Sequence, residues 1–463
     1  MTFPCYPKYR TSGVEWLDQV PDHWSSVPIK YMALERNSLF LDGDWIESKD
    51  ISSDGIRYIT TGNVGEGAYK EQGAGFISEE TFHALGCTDV YEGDVLVSRL
   101  NNPIGRACVV PDLGGRVVTS VDNVIFRPDS KFDKKFIVYL FSSEEYFKHT
   151  SNLARGATMQ RISRGLLGNI RVVTPSFEEQ TQIARFLDHE TARIDALIEE
   201  QQRLIELLKE KRQAVISHAV TKGLDPTTPM KDSGVEWLGE VPAHWELTRV
   251  GWQCIVGNGC TPARDNLDYW EDGHYPWLNS SKVNLDRVID ADQFVTSKAL
   301  KECALPIVKP GCVLMAITGE GKTRGMVTIT EIEATINQHV AFIEPRGGQL
   351  VATYLHDWLS ANYSRIRHDS ADWGSTKAAI TCADIRAYPL PLPPKEEQEA
   401  ICQFVNSKSA LFDGLMSSAE ENVGLLQERR SALISAAVTG KIDVRGWQPP
   451  ASASQQQCEV LEA

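Results

Sequence analysis

The residues of this chain that could perform covalent chemistry do not assemble into a site. Ala316-Ile317-Thr318-Gly319-Glu320-Gly321-Lys322-Thr323 fits a permissive phosphate-loop pattern with alanine in the first glycine position. Such a loop works only where a strand leads in and a helix leads out, so that the helix N-terminus faces the phosphates. The run that follows, Arg324-Gly325-Met326-Val327-Thr328-Ile329-Thr330, is β-branched and reads as a strand. A β-hairpin loop projecting Lys322 and Arg324 is the expectation. Asn102-Pro103-Ile104 shares two residues with the Asn-Pro-Pro-Tyr motif of adenine methyltransferases but lacks the second proline and the aromatic. Glu178-Glu179 and Glu396-Glu397 are carboxylate pairs of the kind used in acid–base chemistry. Both pairs open a helical stretch, where negative charge complements the positive end of the helix dipole, and capping is the role expected. The 10 cysteines are scattered, with no Cys-x-x-Cys pair and no zinc spacing. Gly-x-Ser-x-Gly, His-Glu-x-x-His and dinucleotide fingerprints do not occur. The sequence shows no active site.

Bulk composition narrows the remaining classes. A chain of 463 residues with 42% hydrophobic and 24% charged residues is ordinarily globular and long enough for two to four domains. It carries no apolar run of membrane-spanning length and no apolar leader region, so a cytoplasmic protein with reduced thiols is expected. The net charge of −15 speaks against nucleic-acid binding through global charge. Phosphate contact is local, however, and a basic face on an acidic chain still serves it. The acidic remainder is available to partners.

The frame behind these residues is written twice. Ser12-Gly13-Val14-Glu15-Trp16-Leu17 and Val20-Pro21-Asp22-His23-Trp24 return as Ser233-Gly234-Val235-Glu236-Trp237-Leu238 and Val241-Pro242-Ala243-His244-Trp245, 221 residues on. Gly93-Asp94-Val95-Leu96 is matched by Gly311-Cys312-Val313-Leu314, and Gly156-Ala157-Thr158 by Gly374-Ser375-Thr376, 218 residues on. Only two long copies are present, so the chain is a duplication and not a solenoid. Residues 1–176 and 226–394 are the globular copies, rich in short β-branched runs bounded by Gly, Asp and Pro. In the first, Asp133 to Lys148 reads as one helix on the sheet. The repeated Trp16, Trp24, Trp237 and Trp245 are expected in the cores.

Residues 177–225 and 395–445 are different in kind. Ile183, Leu187, Ile194, Leu197, Leu204, Leu208, Val215 and Ala219 fall in steps of three, four and seven, without Gly or Pro until Gly223. That predicts one amphipathic helix roughly 65 Å long at 1.5 Å per residue. The second stretch keeps the phase through Ile401, Val405, Phe412, Leu415, Leu426, Leu433 and Ala437, weakened by Gly414, Asn422 and Gly424. Each glycine costs roughly 1 kcal/mol relative to alanine. The two stripes are natural partners, and the chain must return between them. The expected fold is therefore α+β: two α/β modules joined by two long helices in an antiparallel coiled coil, with pseudo-twofold symmetry. Residues 446–463 are expected to be a disordered tail.

One family shares this order of parts. Pro175-Ser176-Phe177-Glu178-Glu179-Gln180-Thr181-Gln182-Ile183-Ala184-Arg185-Phe186 and Pro394-Lys395-Glu396-Glu397-Gln398-Glu399-Ala400-Ile401-Cys402-Gln403-Phe404 open the two helices, and each copy opens on the Ser-Gly-Val-Glu-Trp-Leu run. From about residue 6 to 445 the chain resembles the specificity subunit of type I restriction–modification systems. The resemblance implies two target recognition domains, 1–176 and 226–394, each reading half of a bipartite double-stranded DNA target. The helices would hold them about one DNA turn apart, roughly 34 Å between half-site centres.

The resemblance further implies a non-catalytic subunit that binds no cofactor itself. S-adenosylmethionine belongs with two modification subunits, and ATP and Mg with restriction subunits. Acidic Glu199, Glu200, Glu206, Glu420 and Glu421 suit partner docking. Basic residues would set register on phosphates and polar side chains would read base edges, at about 1–3 kcal/mol per bidentate pair. Candidates in the first copy are Thr60, Thr61, Asn63, Arg99, Asn101, Asn102, Arg106, Arg155, Thr158, Gln160 and Arg161. In the second they are Asn279, Ser280, Ser281, Lys282, Lys322, Arg324, Trp373, Ser375, Thr376 and Lys377. The 156–161 loop ranks first, because 374–377 repeats a small, polar entry to a helix. A stand-alone DNA-binding regulator built on the same two readers is the alternative.

Overall fold

The structure is a computed structural model that describes residues 3–73, 75–100, 103–156, 159–319, 321–370 and 379–450. Two compact units emerge, Met1–Gln202 with Glu421–Ala463 and Arg203–Glu420. Each unit thus contains one globular copy and half of each long helix. The helices run unbroken over Phe177–Lys222 and Lys395–Val438, 46 and 44 residues. Gly414 and Gly424 are absorbed without a break in the second helix.

In the first unit, the strand Asn123–Arg127 pairs antiparallel with Leu39–Asp42 on one side and Val95–Ser98 on the other, and Ala107–Val109 completes the sheet. In the second, Val340–Pro345 pairs in the same way with Cys254–Asn258 and Val313–Ala316, followed by Val327–Thr330. Each unit adds a second sheet containing a parallel pair: Val117–Thr119 on Ile56–Ile59, and Thr335–Ile336 on Tyr275–Leu278. Alternation of buried and exposed residues is weak in the central strands, because both faces are covered; Val95, Leu96, Val97 and Ser98 are all buried. The stretch expected as one helix from Asp133 is two, Lys134–Leu140 and Glu144–Leu153. The break falls where the hydroxyls of Ser142 and Ser143 bond back to the Val138 and Leu140 carbonyls, a competition that ends a helix locally.

The helices pack on both the module before them and the other copy's helix. Ile183, Phe186 and Leu187 of the first helix share a core with Trp24, Phe126, Phe136, Ile434 and Val438 in unit one. Ala219 and Val220 share a core with Trp245, Trp358, Ile401 and Val405 in unit two. Asp195 pairs with Arg430 at 2.8 Å in unit one, and Arg212 with Asp413 at 3.6 Å in unit two. Within unit one, Ile183 clusters with Ile434 and Val438 while Asp195, farther along, pairs with Arg430, so the helix segments run antiparallel there. Each ends on a glycine at φ +75°, Gly223 and Gly440, the left-handed cap that spares a side chain the Cβ penalty. A Cβ on Gly440 would lie 2.3 Å from Pro21, and one on Gly223 would lie 3.3 Å from Trp245. The repeated tryptophans Trp24 and Trp245 therefore receive the helix ends.

The seam is narrower than the sequence pattern implied. Ile194, Ile205, Phe412 and Ala419 are buried, whereas Leu197, Leu204 and Leu415 are exposed by 42–46%. Two helices alone cover only part of each stripe, and the remainder faces outward. Ordered packing also extends past residue 445: Trp447 sits 5.3 Å from the Phe186 ring, and Gln182 Nε2 donates to the Trp447 carbonyl at 2.6 Å.

Candidate nucleic-acid interface

Four loops are tied together at one end of each module's sheets. In unit one, the Arg99 amide donates to the Asp122 carbonyl at 2.8 Å and the Ile162 amide to the Arg99 carbonyl at 3.0 Å. Arg155 and Arg161 exchange two backbone hydrogen bonds of 2.9 Å. Arg106 joins the fourth loop, donating to the carbonyls of Val64 at 2.7 Å and Thr61 at 2.8 Å. Unit two repeats the frame. The Ile317 amide donates to the His339 carbonyl at 3.0 Å and the Ile380 amide to the Ile317 carbonyl at 2.8 Å. The turn that closes the parallel pair is held identically, by the Ser120 amide on the Ile59 carbonyl and the Asn337 amide on the Leu278 carbonyl, both 3.0 Å.

Several candidate residues turn out to build these loops. Arg99 is 7% exposed; its guanidinium donates to the Ile162 carbonyl at 3.2 Å and stands 3.1 Å from Asp42 in an ion pair too bent for a hydrogen bond. Arg106, 8% exposed, also bonds the Leu100 and Pro103 carbonyls. Burial pulls both guanidiniums below their ordinary value, and neither is presented to a phosphate. Asn63 is buried, its amide donating to the Lys70 and Gln72 carbonyls and its oxygen accepting from the Thr60 amide. Lys282 is 8% exposed and its ammonium lies 2.9 Å from both Asp290 and Asp292. Hydrogen bonds to those two carboxylates raise its pKa, and the three groups together present net negative charge to any phosphate. Arg324 is buried beneath the loop it was expected to project from, its Nη2 3.5 Å from the Arg367 carbonyl. Asn279 caps its own turn, accepting from the Ser281 amide and hydroxyl.

Others remain at the surface. Thr60, Arg155, Gln160, Ser281 and Lys322 are exposed, with Thr61 and Ser280 partly so. Arg161 is half-exposed and ion-paired to Asp122. Lys322 lies in the hairpin between Val313–Ala316 and Val327–Thr330, which pair antiparallel; no helix follows, as a phosphate loop would require. Tyr363 donates to the Lys322 carbonyl and braces that hairpin. Asn101, Asn102, Thr158, Trp373, Ser375, Thr376 and Lys377 lie outside the described residues.

Sequence reasoning missed the turn itself. In unit two, Thr261 Oγ1 donates to Gln338 Oε1, Gln338 Nε2 lies 3.1 Å from His339 Nε2, and His339 Nδ1 lies 2.8 Å from Thr318 Oγ1. In unit one the same position as His339, Asp122, holds Arg161. The available signal was divergence at matched positions, Ser120-Val121-Asp122 against Asn337-Gln338-His339, inside a shared frame.

The carboxylate pairs do more than complement a dipole. Glu179 accepts from Tyr6 Oη at 2.7 Å and Trp24 Nε1 at 3.0 Å and faces His23 Nε2 at 2.8 Å; Glu397 faces His244 Nε2 at 2.7 Å. Away from the loops, the long helices expose Leu197 and Leu425 in unit one and Leu204, Leu207, Leu411 and Leu415 in unit two. No group of three or more His, Cys, Asp or Glu among the described residues could hold a metal ion. No described helix is long and apolar enough to cross a membrane.

Comparison with known proteins gives consistent results. A family model described as the type I restriction modification DNA specificity domain matches residues 39–208 and 242–416. The StySPI type I restriction enzyme specificity subunit of Salmonella potsdam is 31% identical over 335 residues, covering 70% of this chain and 68% of that protein. The MjaIX specificity subunit of Methanocaldococcus jannaschii is 22% identical over 414 residues, 87% of each. Among solved structures, the HsdS subunit from Thermoanaerobacter tengcongensis aligns with a TM-score of 0.55 at 18% identity over 91% of this chain and 98% of that one. A chain solved for complex assembly and conformational transition of the type I R-M system aligns with a TM-score of 0.69, also at 18% identity, over 91% and 99%.

Proposed function

The chain belongs to the type I restriction–modification DNA specificity family, and from that membership we propose that it is the non-catalytic subunit through which a restriction–modification complex recognises DNA. Each globular unit reads one half of a bipartite duplex target. The observation that carries this reading is the loop cluster built twice on one hydrogen-bonded frame and furnished differently each time. A frame held by backbone bonds fixes where a base edge must sit, while side chains on it are free to specify which base. Arg155, Gln160 and Arg161 serve the first half-site, and Ser281 and Lys322 the second.

The antiparallel helices set the separation of the readers and dock two modification subunits. Exposed Leu197, Leu204, Leu207, Leu411, Leu415 and Leu425 supply apolar contact, with Glu199, Glu200, Glu420 and Glu421 around them. Exposed apolar side chains on a helix, with charged residues near them in sequence, are the kind of surface an interface uses. Adenine methylation, using S-adenosylmethionine, takes place on those modification subunits. ATP-driven translocation and Mg-dependent cleavage take place on restriction subunits, and the whole works in the cytoplasm.

The test is to express the chain with its modification subunit and map methylated adenines in the host genome. A split motif is expected, with one half changing when residues 1–176 are exchanged for those of a relative. A single contiguous motif, or tight sequence-specific binding by the isolated chain with no gain from the modification subunit, would replace this reading with that of a stand-alone regulator.

A further inference from the structure

We propose that the Asn337-Gln338-His339 turn is a base-reading element of the second unit and that Gln338 recognises an adenine edge in the major groove. This rests on the DNA-recognition role and names one of its contacts. A glutamine amide has two donors and two lone pairs. Gln338 uses one lone pair on the Thr261 hydroxyl and one N–H on His339 Nε2 at 3.1 Å. One donor and one acceptor are left at an exposed side chain. Adenine offers the complement, an N7 acceptor and an N6 donor, and Gln is the side chain that engages both.

His339 holds the amide. With Nε2 accepting from Gln338, the ring carries its proton on Nδ1 and donates it to Thr318 Oγ1 at 2.8 Å. Thr318 is itself anchored, its strand segment bridged to Ala379. The turn is fixed by the His339 amide on Asn337 Oδ1 at 3.0 Å. Chains of side-chain hydrogen bonds between exposed groups contribute little to folding, because water competes for every partner. What this one accomplishes is orientation: it removes rotamer freedom that a long side chain would otherwise lose on binding. The first unit uses the same position for the same purpose, since Asp122 holds Arg161 there. Gln338 is the reading residue; Thr261, Thr318 and His339 are positioning residues.

The experiment uses the complex of the full chain with its modification subunit. Binding is measured on duplexes in which each base pair of the second half-site is varied, and methylated adenines are mapped in parallel. Gln338→Ala should lose roughly 10- to 100-fold of discrimination at one A·T pair, leaving the first half-site unchanged. Gln338→Glu should move preference at that pair toward cytosine, whose N4 donates. His339→Ala and Thr261→Val should lose part of the same discrimination, and they carry the test if Gln338→Ala fails to fold. An intact second-half motif in these variants overturns the proposal, as does equal weakening on every duplex or a loss of discrimination at a position where the unaltered chain selects a G·C pair. If the unaltered chain directs no split motif at all, the recognition role fails first and this contact with it.

Discussion

Removing the Glu179 carboxylate measures how firmly the first module is clasped to the start of its helix. Glu179 is 7% exposed and takes donors from Tyr6, Trp24 and His23 at 2.7, 3.0 and 2.8 Å. Burial, and then the Glu179 hydrogen bond, push the Tyr6 phenol well above its ordinary value, so it remains a donor. Tyr6 and Trp24 are buried at 4% and 1% exposure. Glu179→Ala leaves both without an acceptor, at about 1–3 kcal/mol for each orphaned donor. His23 is half-exposed and finds water, so its pair adds little. The expected loss is about 3–5 kcal/mol, the range for breaking a buried charged cluster.

The duplication supplies the control. Among the described residues, Glu397, the matching residue, pairs only with the half-exposed His244, and the Trp245 indole N–H has no partner. Glu397→Ala should therefore cost under about 1 kcal/mol. Urea unfolding followed by tryptophan fluorescence reads the difference. With m near 3 kcal/mol/M, Glu179→Ala should lower the midpoint of the affected transition by about 1–1.7 M and Glu397→Ala by less than about 0.3 M. Equal shifts from the two variants would refute the reasoning, because Glu179 is the more buried of the two and alone holds buried donors.

Arg161→Ala should reduce discrimination in the first half-site with stability nearly unchanged, whereas Arg99→Ala should lower stability by about 2–4 kcal/mol because it leaves the Ile162 and Val121 carbonyls without that donor; duplex binding and thermal unfolding of both variants separate these roles. Lys322→Ala should weaken DNA binding alike across sequences and reduce the slope of log affinity against log salt by about 1. Burial pushes the Cys108, Cys254, Cys312 and Cys402 thiols up to about 12. At pH 8, iodoacetamide should therefore label exposed Cys5 and Cys260 before these four, as read by peptide mass. Because their folded values lie above the unfolded one, the stability these thiols contribute is complete below pH about 9 and falls as pH rises from about 9 toward 12, which unfolding midpoints across that window should follow.

Local pattern was enough for the sequence to determine the duplication, the hairpins and the two long helices with their glycine ends. Those features rest on periodicity and turn chemistry, which neighbouring residues specify. The helix partner was also legible, since two unpaired stripes in one chain have each other to cover. Which loop cations face outward was not. Arg99, Arg106, Lys282 and Arg324 look in sequence like Arg161 and Lys322, yet the first four are buried and the last two exposed to differing degrees. Their fate depends on Asp42, Val64, Asp290 and the Arg367 carbonyl, which lie 8 to 57 residues away along the chain and meet them only in the folded unit. The seam was decided at the same level: Ile205 is buried and Leu204 exposed by a rotation of one residue. Periodicity specifies that a stripe exists, and only the partner's side chains decide which edge of it is covered.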